Sequence, residues 1–183
     1  MTERDFWQIM EQRRTWKLLD PTRTHFCSGP GTEDVFIQNL ATFSVDELLS
    51  FATYWNHHWS RTVRDDLWAA AYLIDGGCSD DAFYNYVRPG VILLGENLFE
   101  AVIKDPDQTL AGLPNAGQEL IQGEFCHVVQ LAFEEKTGQD LDWGELPQIR
   151  PINDPPDRAV NWKEEDLPRL FPKLWAIYGD STS

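Results

Sequence analysis

Apolar residues recur along most of the chain at the three- and four-residue spacing of amphipathic helices. In one such stretch, Leu48, Phe51, Ala52, Trp55 and Trp59 share a face. No stretch alternates apolar and polar residues for long enough to require a strand. The periodicity predicts helices over residues 3–19, 33–41, 44–60, 65–75, 79–88, 91–104 and 118–137, then two short helices near the C-terminal end, the last beginning at Pro172.

The boundaries of these helices carry residues that satisfy exposed backbone groups. Ser44-Val-Asp-Glu47 is a capping-box pattern, in which the first and last side chains bond amides of the first turn. Acidic pairs stand at two other predicted helix starts, Asp65-Asp66 and Asp80-Asp81, where the helix dipole stabilises negative charge. Between them, Gly76-Gly77 ends a helix by allowing a left-handed turn. The pair Pro89-Gly90 is expected to kink or break the following helix.

The pattern as a whole predicts an all-α protein with a single compact helical domain of about seven or eight helices. Residues 1–138 would form that domain. Residues 139–183, which include four prolines between positions 147 and 156, would form an irregular proline-rich tail and short C-terminal helices packed on the same domain.

Charge narrows the classes of function. The 183 residues include 15 basic and 30 acidic side chains, for a net charge of −15. Such a surface repels phosphate backbones and anionic lipid headgroups, so no nucleic-acid or membrane binding is expected. The longest apolar run, Leu67–Ile74, is far too short to span a bilayer. Three widely spaced cysteines and a charged N-terminus favour a cytoplasmic location with reduced thiols.

The run from Asp66 to Phe83, with its Gly-Gly-Cys-Ser-Asp-Asp block, resembles a bacterial family known as domain of unknown function 4240. Phe6-Trp7 and Asp105-Pro106-Asp107 are similar to other positions of that family, and the resemblance covers about residues 1–110. It implies a bacterial, helical, single-domain protein and supplies no activity. The chain departs from the family after the block: Arg88 is kept, but a family tryptophan is missing and a Pro-Gly pair intrudes.

The residues best suited to binding or chemistry lie in and around this block. They are Arg64, Asp66, Trp68, Asp80, Asp81 and Arg88. If the three acids met beside Arg88, their oxygens could hold Mg²⁺ or supply a general acid and base, as in a metal-dependent hydrolase. The alternative is structural: the acids begin helices and the arginines pair with them. We favour the structural interpretation, so no catalytic residue, metal site or cofactor is predicted.

Cysteine and histidine offer weaker candidates for chemistry. Cys78 lies just before a predicted helix start, where the dipole would lower its pKa, although a small buried thiol is the simpler interpretation. His57 and His58 are adjacent on a helix and point about 100° apart, so they do not suit a shared metal ion.

The function expected from these features is that of a non-enzymatic protein-interaction or regulatory module. Its acidic surface favours a basic protein as the partner. Two alternatives stay open, the metal-dependent hydrolase built on Asp66, Asp80, Asp81 and Arg88, and a small-ligand sensor with an apolar cavity. Geometry separates them. An enzyme requires the four groups to converge in a concave pocket, whereas an interaction module leaves them at helix ends.

Overall fold

The computed structural model describes residues 1–17, 19, 32–120, 125–149 and 152–179. These residues form helices and no strand, which confirms the all-α prediction. The α-helices are α1 (Glu3–Gln12), α2 (Thr32–Leu40), α3 (Val45–Arg61), α4 (Asp65–Asp75), α5 (Asp80–Ala82), α6 (Arg88–Leu93), α7 (Glu96–Lys104), α8 (Pro106–Ala111), α9 (Ala116–Leu120), α10 (Val128–Thr137), α11 (Leu167–Leu170) and α12 (Pro172–Tyr178). The helices in this part of the chain are slightly more numerous than the seven or eight predicted, because several predicted helices are divided.

The chain divides into two compact units. Unit 1 consists of Met1–His58 and Gly123–Pro151, and unit 2 consists of Trp59–Gln122 and Ile152–Ser183. Among the described residues, no helix is both long enough and apolar enough to cross a membrane.

Unit 1 is built around aromatic side chains. Phe6 from α1, Phe36 from α2, and Phe51 and Trp55 from α3 are each almost completely buried. The Phe6 and Phe51 rings lie 4.9 Å apart at a tilt, and Phe36 meets Phe125 edge to face at 5.7 Å. Such geometry sets the positive edge of one ring against the negative face of another and adds to the stabilisation from burial.

The capping box predicted before α3 is confirmed. The backbone amide of Ser44 donates to the Glu47 carboxylate at 2.9 Å, and the amide of Glu47 donates to the Ser44 hydroxyl at 3.3 Å. Hydrogen bonds from the Ser44 side chain and backbone lower the pKa of Glu47. A second capping box, between Thr2 and Asp5, begins α1. Both boxes fix the start of a helix by reciprocal bonds to its first amides.

The predicted break at Pro89-Gly90 is wrong. The chain stays helical from α5 through a π-helical segment, Phe83–Val87, into α6. In an α-helix, proline lacks the amide for the i−4 bond and its ring collides with that carbonyl. Here the turn before Pro89 is π-helical, with the Arg88 amide bonded to the Phe83 carbonyl five residues earlier, so the regular ladder is already relaxed. The helix ends instead at Leu93, and Gly95, whose φ is +90°, is the N-cap of α7.

Two other predicted helices are shorter than expected. The first ends at Gln12 in a 3₁₀ turn, Arg13–Thr15, and does not continue to residue 19. The helix predicted over residues 118–137 consists of α9 and α10, and a 3₁₀ turn, Phe125–His127, leads into α10. Gly138, at φ +70°, closes α10 as predicted, and α12 begins at Pro172 as predicted. The prolines and glycines of residues 20–32 predict a loop there, and all of that range except Thr32, the first residue of α2, lies outside the described residues.

In unit 2, α12 packs against α4 and α8, and α9 packs against α4 and α6. The start of α12 is held by Asp107 of α8, whose buried carboxylate accepts hydrogen bonds from the amides of Lys173 and Leu174 at 3.1 and 2.9 Å. Asp105 caps α8 itself by accepting from the Gln108 amide at 3.0 Å. Both aspartates of the Asp-Pro-Asp block therefore satisfy amides at helix starts.

Candidate binding site at the start of α4

The first part of the site is a buried ion pair between Arg64 and Asp66. The guanidinium donates through Nε and Nη2 to the two carboxylate oxygens at 2.8 and 2.6 Å. The Asp66 side chain is 1% exposed and that of Arg64 is 8% exposed. The hydrogen bond to Asp66 outweighs burial and raises the pKa of Arg64. Removal of either side chain would leave the other charge buried and unpaired, so we expect a loss of stability from either change.

Residues 152–166, which we call the C-terminal segment, supply the cap of α4. Arg64 stands at the N-cap position and forms no side-chain capping bond. Asp157 takes that role from a distant part of the chain, because its carboxylate accepts from the amides of Asp65 and Asp66 at 2.5 and 3.0 Å. Asp65 in turn accepts from the amide of Asn161 at 3.0 Å. The carboxylates of Asp157 and Asp65 lie at the positive end of the α4 dipole, which stabilises their negative charge.

Arg61, the last residue of α3, forms a second link to the same segment. Its guanidinium donates to Asp154 at 2.8 to 3.0 Å and to Glu100 of α7 at 2.6 and 2.8 Å. Burial lowers the pKa of Arg61, but the bonds to Glu100 and Asp154 more than compensate and raise it. Arg64 adds a bond from Nη1 to the carbonyl of Pro155 at 2.7 Å. Residues 154–157 are therefore held through two carboxylates and one carbonyl.

Trp68 ties α4 to the Gly-Gly-Cys-Ser-Asp-Asp block. Its indole N–H donates to the carbonyl of Cys78 at 2.8 Å, and its ring stacks on Phe83 with centroids 5.8 Å apart. On another side it meets Trp162 of the C-terminal segment edge to face at 6.5 Å. Trp162 also meets Tyr72, whose hydroxyl donates to Glu164. Trp68 thus packs between the block and the segment.

The block, residues 76–81, contains the C-cap of α4 and the start of α5. Gly76 is left-handed at φ +67° and closes α4, and Gly77 has φ +146°. Ser79 caps α5 by accepting from the Ala82 amide at 3.2 Å. Asp80 and Asp81 are exposed in the first turn of α5 and form no side-chain hydrogen bond or ion pair within the described chain.

Arg88 lies apart from these acids. Its guanidinium sits over the rings of Trp59 and Tyr84, at 4.3 and 5.1 Å from their centroids. Nε donates to the Thr62 hydroxyl at 3.1 Å, and Nη2 donates to the Trp59 carbonyl at 3.0 Å. Burial lowers its pKa, and it pairs with no carboxylate among the described residues. Arg88 therefore binds the C-terminal end of α3, where its positive charge is stabilised by the helix dipole. The predicted ion pair between Arg88 and an acid is wrong.

Cys78 borders an apolar pocket in unit 2. The pocket offers about 20 Å³ of space, on the order of one water molecule, and is lined mainly by Ala71, Ile74, Ala82, Val87 and Leu120. Burial, together with the nearby charges of Asp75 and Asp80, raises the pKa of the Cys78 thiol to about 11. This is the opposite of the shift that an activated nucleophile requires.

A family model described as protein of unknown function (DUF4240) matches residues 1–135. The chain belongs to this family. No curated protein and no solved structure matches it. The DUF4240 match includes Arg61, Arg64, Asp66 and Trp68 but ends before the segment that contacts them.

Of the six predicted site residues, the structure brings Arg64 and Asp66 into direct contact and sets Trp68 two positions after Asp66 on the same helix. Asp80 and Asp81 begin α5, and Arg88 binds the end of α3. Within the described ranges, no group of three or more His, Cys, Asp or Glu side chains is arranged to hold a metal ion. Sequence reasoning missed Arg61, Asp154 and Asp157. The signal for them was the Asp154-Pro-Pro-Asp157 sequence, whose paired acids and prolines suit an extended segment.

Proposed function

We propose that this DUF4240 protein is a non-enzymatic interaction module that binds a basic protein partner in the bacterial cytoplasm. One observation carries the proposal. Each polar residue of the family block has a structural contact or is exposed at a helix start, and the four groups required by the hydrolase alternative have no common contact: Asp66 binds Arg64, while Arg88 binds Thr62 and a carbonyl. A module with these groups at helix ends matches the geometry expected of a binding protein.

The charge distribution supports a basic partner. In unit 1, the end of α10 and the following turn expose Glu134, Glu135, Asp140, Asp142 and Glu145, with only Lys136 among them. A concentrated negative surface accelerates association with a positive one and selects against acidic partners. The free cysteines Cys78 and Cys126 form no disulfide, in keeping with a reducing compartment.

The proposal is tested by capture from the native host, followed by binding measurements with the purified partner. The paired change Glu134→Gln and Glu145→Gln removes two exposed charges from this surface. The matched control, Asp80→Asn with Asp81→Asn, removes two charges from the start of α5. We expect a stoichiometric basic partner whose association rate falls several-fold in the first variant and changes little in the second. A partner without excess positive charge, or equal effects of the two variants, would contradict the proposal.

The apolar pocket beside Cys78 does not favour the alternative of a small-ligand sensor. Its space of about 20 Å³ is on the order of one water molecule, far below the volume of small-ligand sites.

A further inference from the structure

We propose that the end of α3 and the start of α4 form a binding site for acidic peptides, and that residues 153–158 of this chain occupy it as an internal competitor. We call this site the α3–α4 corner and define it as Arg61, Arg64 and the backbone amides of Asp65 and Asp66. The inference goes beyond the proposed function, since it concerns a site that binds carboxylates through hydrogen-bond donors, and whose arginines Arg61 and Arg64 also pair with Glu100 and Asp66.

The corner contacts residues 153–158 in the way that a peptide-binding site contacts a ligand. Two carboxylates three positions apart are recognised separately, Asp154 by Arg61 and Asp157 by the α4 amides. The carbonyl of Pro155 between them accepts from Arg64. Arginine forks and helix N-termini are the usual protein ligands of carboxylates. Two consecutive prolines hold the segment extended, which reduces the entropy lost when it is bound.

The occupying segment contributes little apolar burial of its own. Ile152, Pro155, Pro156 and Arg158 are exposed, and the first buried side chain is that of Ala159. The segment contains no helix or strand before the 3₁₀ turn at Glu164–Asp166. The contacts of the segment with the corner are polar and largely buried, since the Arg61 and Asp154 side chains are 7% and 14% exposed, but segments with few apolar contacts open at low free-energy cost. The corner is thus filled by a segment that a competitor can displace.

The family match separates the site from its occupant. Residues 61–66 lie inside the DUF4240 match, which ends at residue 135, and residues 153–158 lie outside it. The corner therefore lies within the matched residues and the segment that fills it lies beyond them, although both belong to unit 2. Beyond the corner, Trp162 packs against Trp68 and Tyr72. The expected ligand is a peptide with acids three positions apart and an aromatic residue five positions after the second acid, as in Asp154, Asp157 and Trp162.

The test uses the full-length chain and a fluorescent synthetic peptide of residues 152–165 as the probe. In the variant Asp154→Asn with Asp157→Asn the internal segment loses both carboxylates while the corner is unchanged. We expect this variant to bind the peptide at least tenfold more tightly than the wild type does, and a control peptide with asparagine at both positions not to bind. Equal binding of the two peptides, or no binding to the variant at millimolar peptide, would overturn the proposal.

Hydrogen exchange on isotope-labelled wild type provides a readout that does not depend on the variant's stability. Excess acidic peptide should accelerate amide exchange in the protein's own residues 153–163 and leave α12 unchanged. If the segment keeps its protection under saturating peptide, it is an integral part of unit 2 and the proposal fails. Concentration-dependent dimerisation of the variant without peptide would instead identify a second copy of this chain as the occupant, which also contradicts the proposal.

Discussion

Asp66→Asn and Asp80→Asn are the same chemical change at the starts of two neighbouring helices, and the structure predicts very different costs. Asp66 is fully buried and accepts two hydrogen bonds from Arg64, which is itself almost buried. Breaking a buried ion pair costs about 3–5 kcal/mol, because the remaining charge has no partner. The asparagine retains one acceptor for the guanidinium, so we expect a loss of about 2–4 kcal/mol.

Asp80 is exposed in the first turn of α5 and forms no side-chain bond or ion pair with the described residues. Only the interaction of this exposed carboxylate with the helix dipole is lost, which predicts less than about 1 kcal/mol. The assay is urea unfolding at pH 7 followed by far-ultraviolet circular dichroism, with the midpoints compared at unchanged slope. Similar losses in the two variants, or a larger loss for Asp80→Asn, would refute the assignment of Asp66 as a structural anchor.

Three further predictions concern other positions. Gly90→Ala should lower the melting temperature sharply, because the new Cβ would lie 2.0 Å from the Leu120 carbonyl oxygen. The control Gly112→Ala, whose Cβ would have no contact closer than 3.4 Å, should be neutral or stabilise by up to about 1 kcal/mol. Comparable melting temperatures of the two variants would contradict this. At pH 8, Cys78 should react with iodoacetamide about 100-fold more slowly in the folded protein, where its pKa is about 11, than in urea, where the thiol returns to its ordinary value of 9.0. Equally fast reaction of Cys78 in the folded protein would revive the nucleophile hypothesis. The pKa of Asp105 is lowered, because hydrogen bonds from the Gln108 amide and from Arg158 outweigh the effect of burial. Its contribution to stability is therefore present above about pH 4 and lost as the pH falls through the pKa of the folded protein. Asp105→Asn should flatten the acid side of the stability profile measured by thermal melts.

Local signals predicted the fold class and most helix boundaries. The capping box before α3, the glycine end of α4 and the proline start of α12 each depend on residues adjacent in sequence, so they could be found without coordinates. The π-helical segment before Pro89 could not. Proline predicts a break unless the preceding turn is widened, and no local pattern indicates that widening.

The candidate site was predictable only in part, for the same reason. Arg64 and Asp66 are two residues apart, and their pairing follows from proximity. The contacts of Asp154 with Arg61 and of Asp157 with the α4 amides span more than 90 residues. Neither partner has a local pattern that names the other, and the path of the C-terminal segment sets both contacts.

The central claim is that the acids and glycines around residues 65–81 stop and start helices and take no part in a reaction. The most direct test is a thermal-shift titration with Mg²⁺ on the wild type and on the Asp80→Asn, Asp81→Asn variant. The account predicts no Mg²⁺-dependent shift in either protein and melting temperatures within a few degrees of each other. A Mg²⁺-dependent stabilisation of the wild type that the variant loses, with its helicity unchanged, would contradict the account.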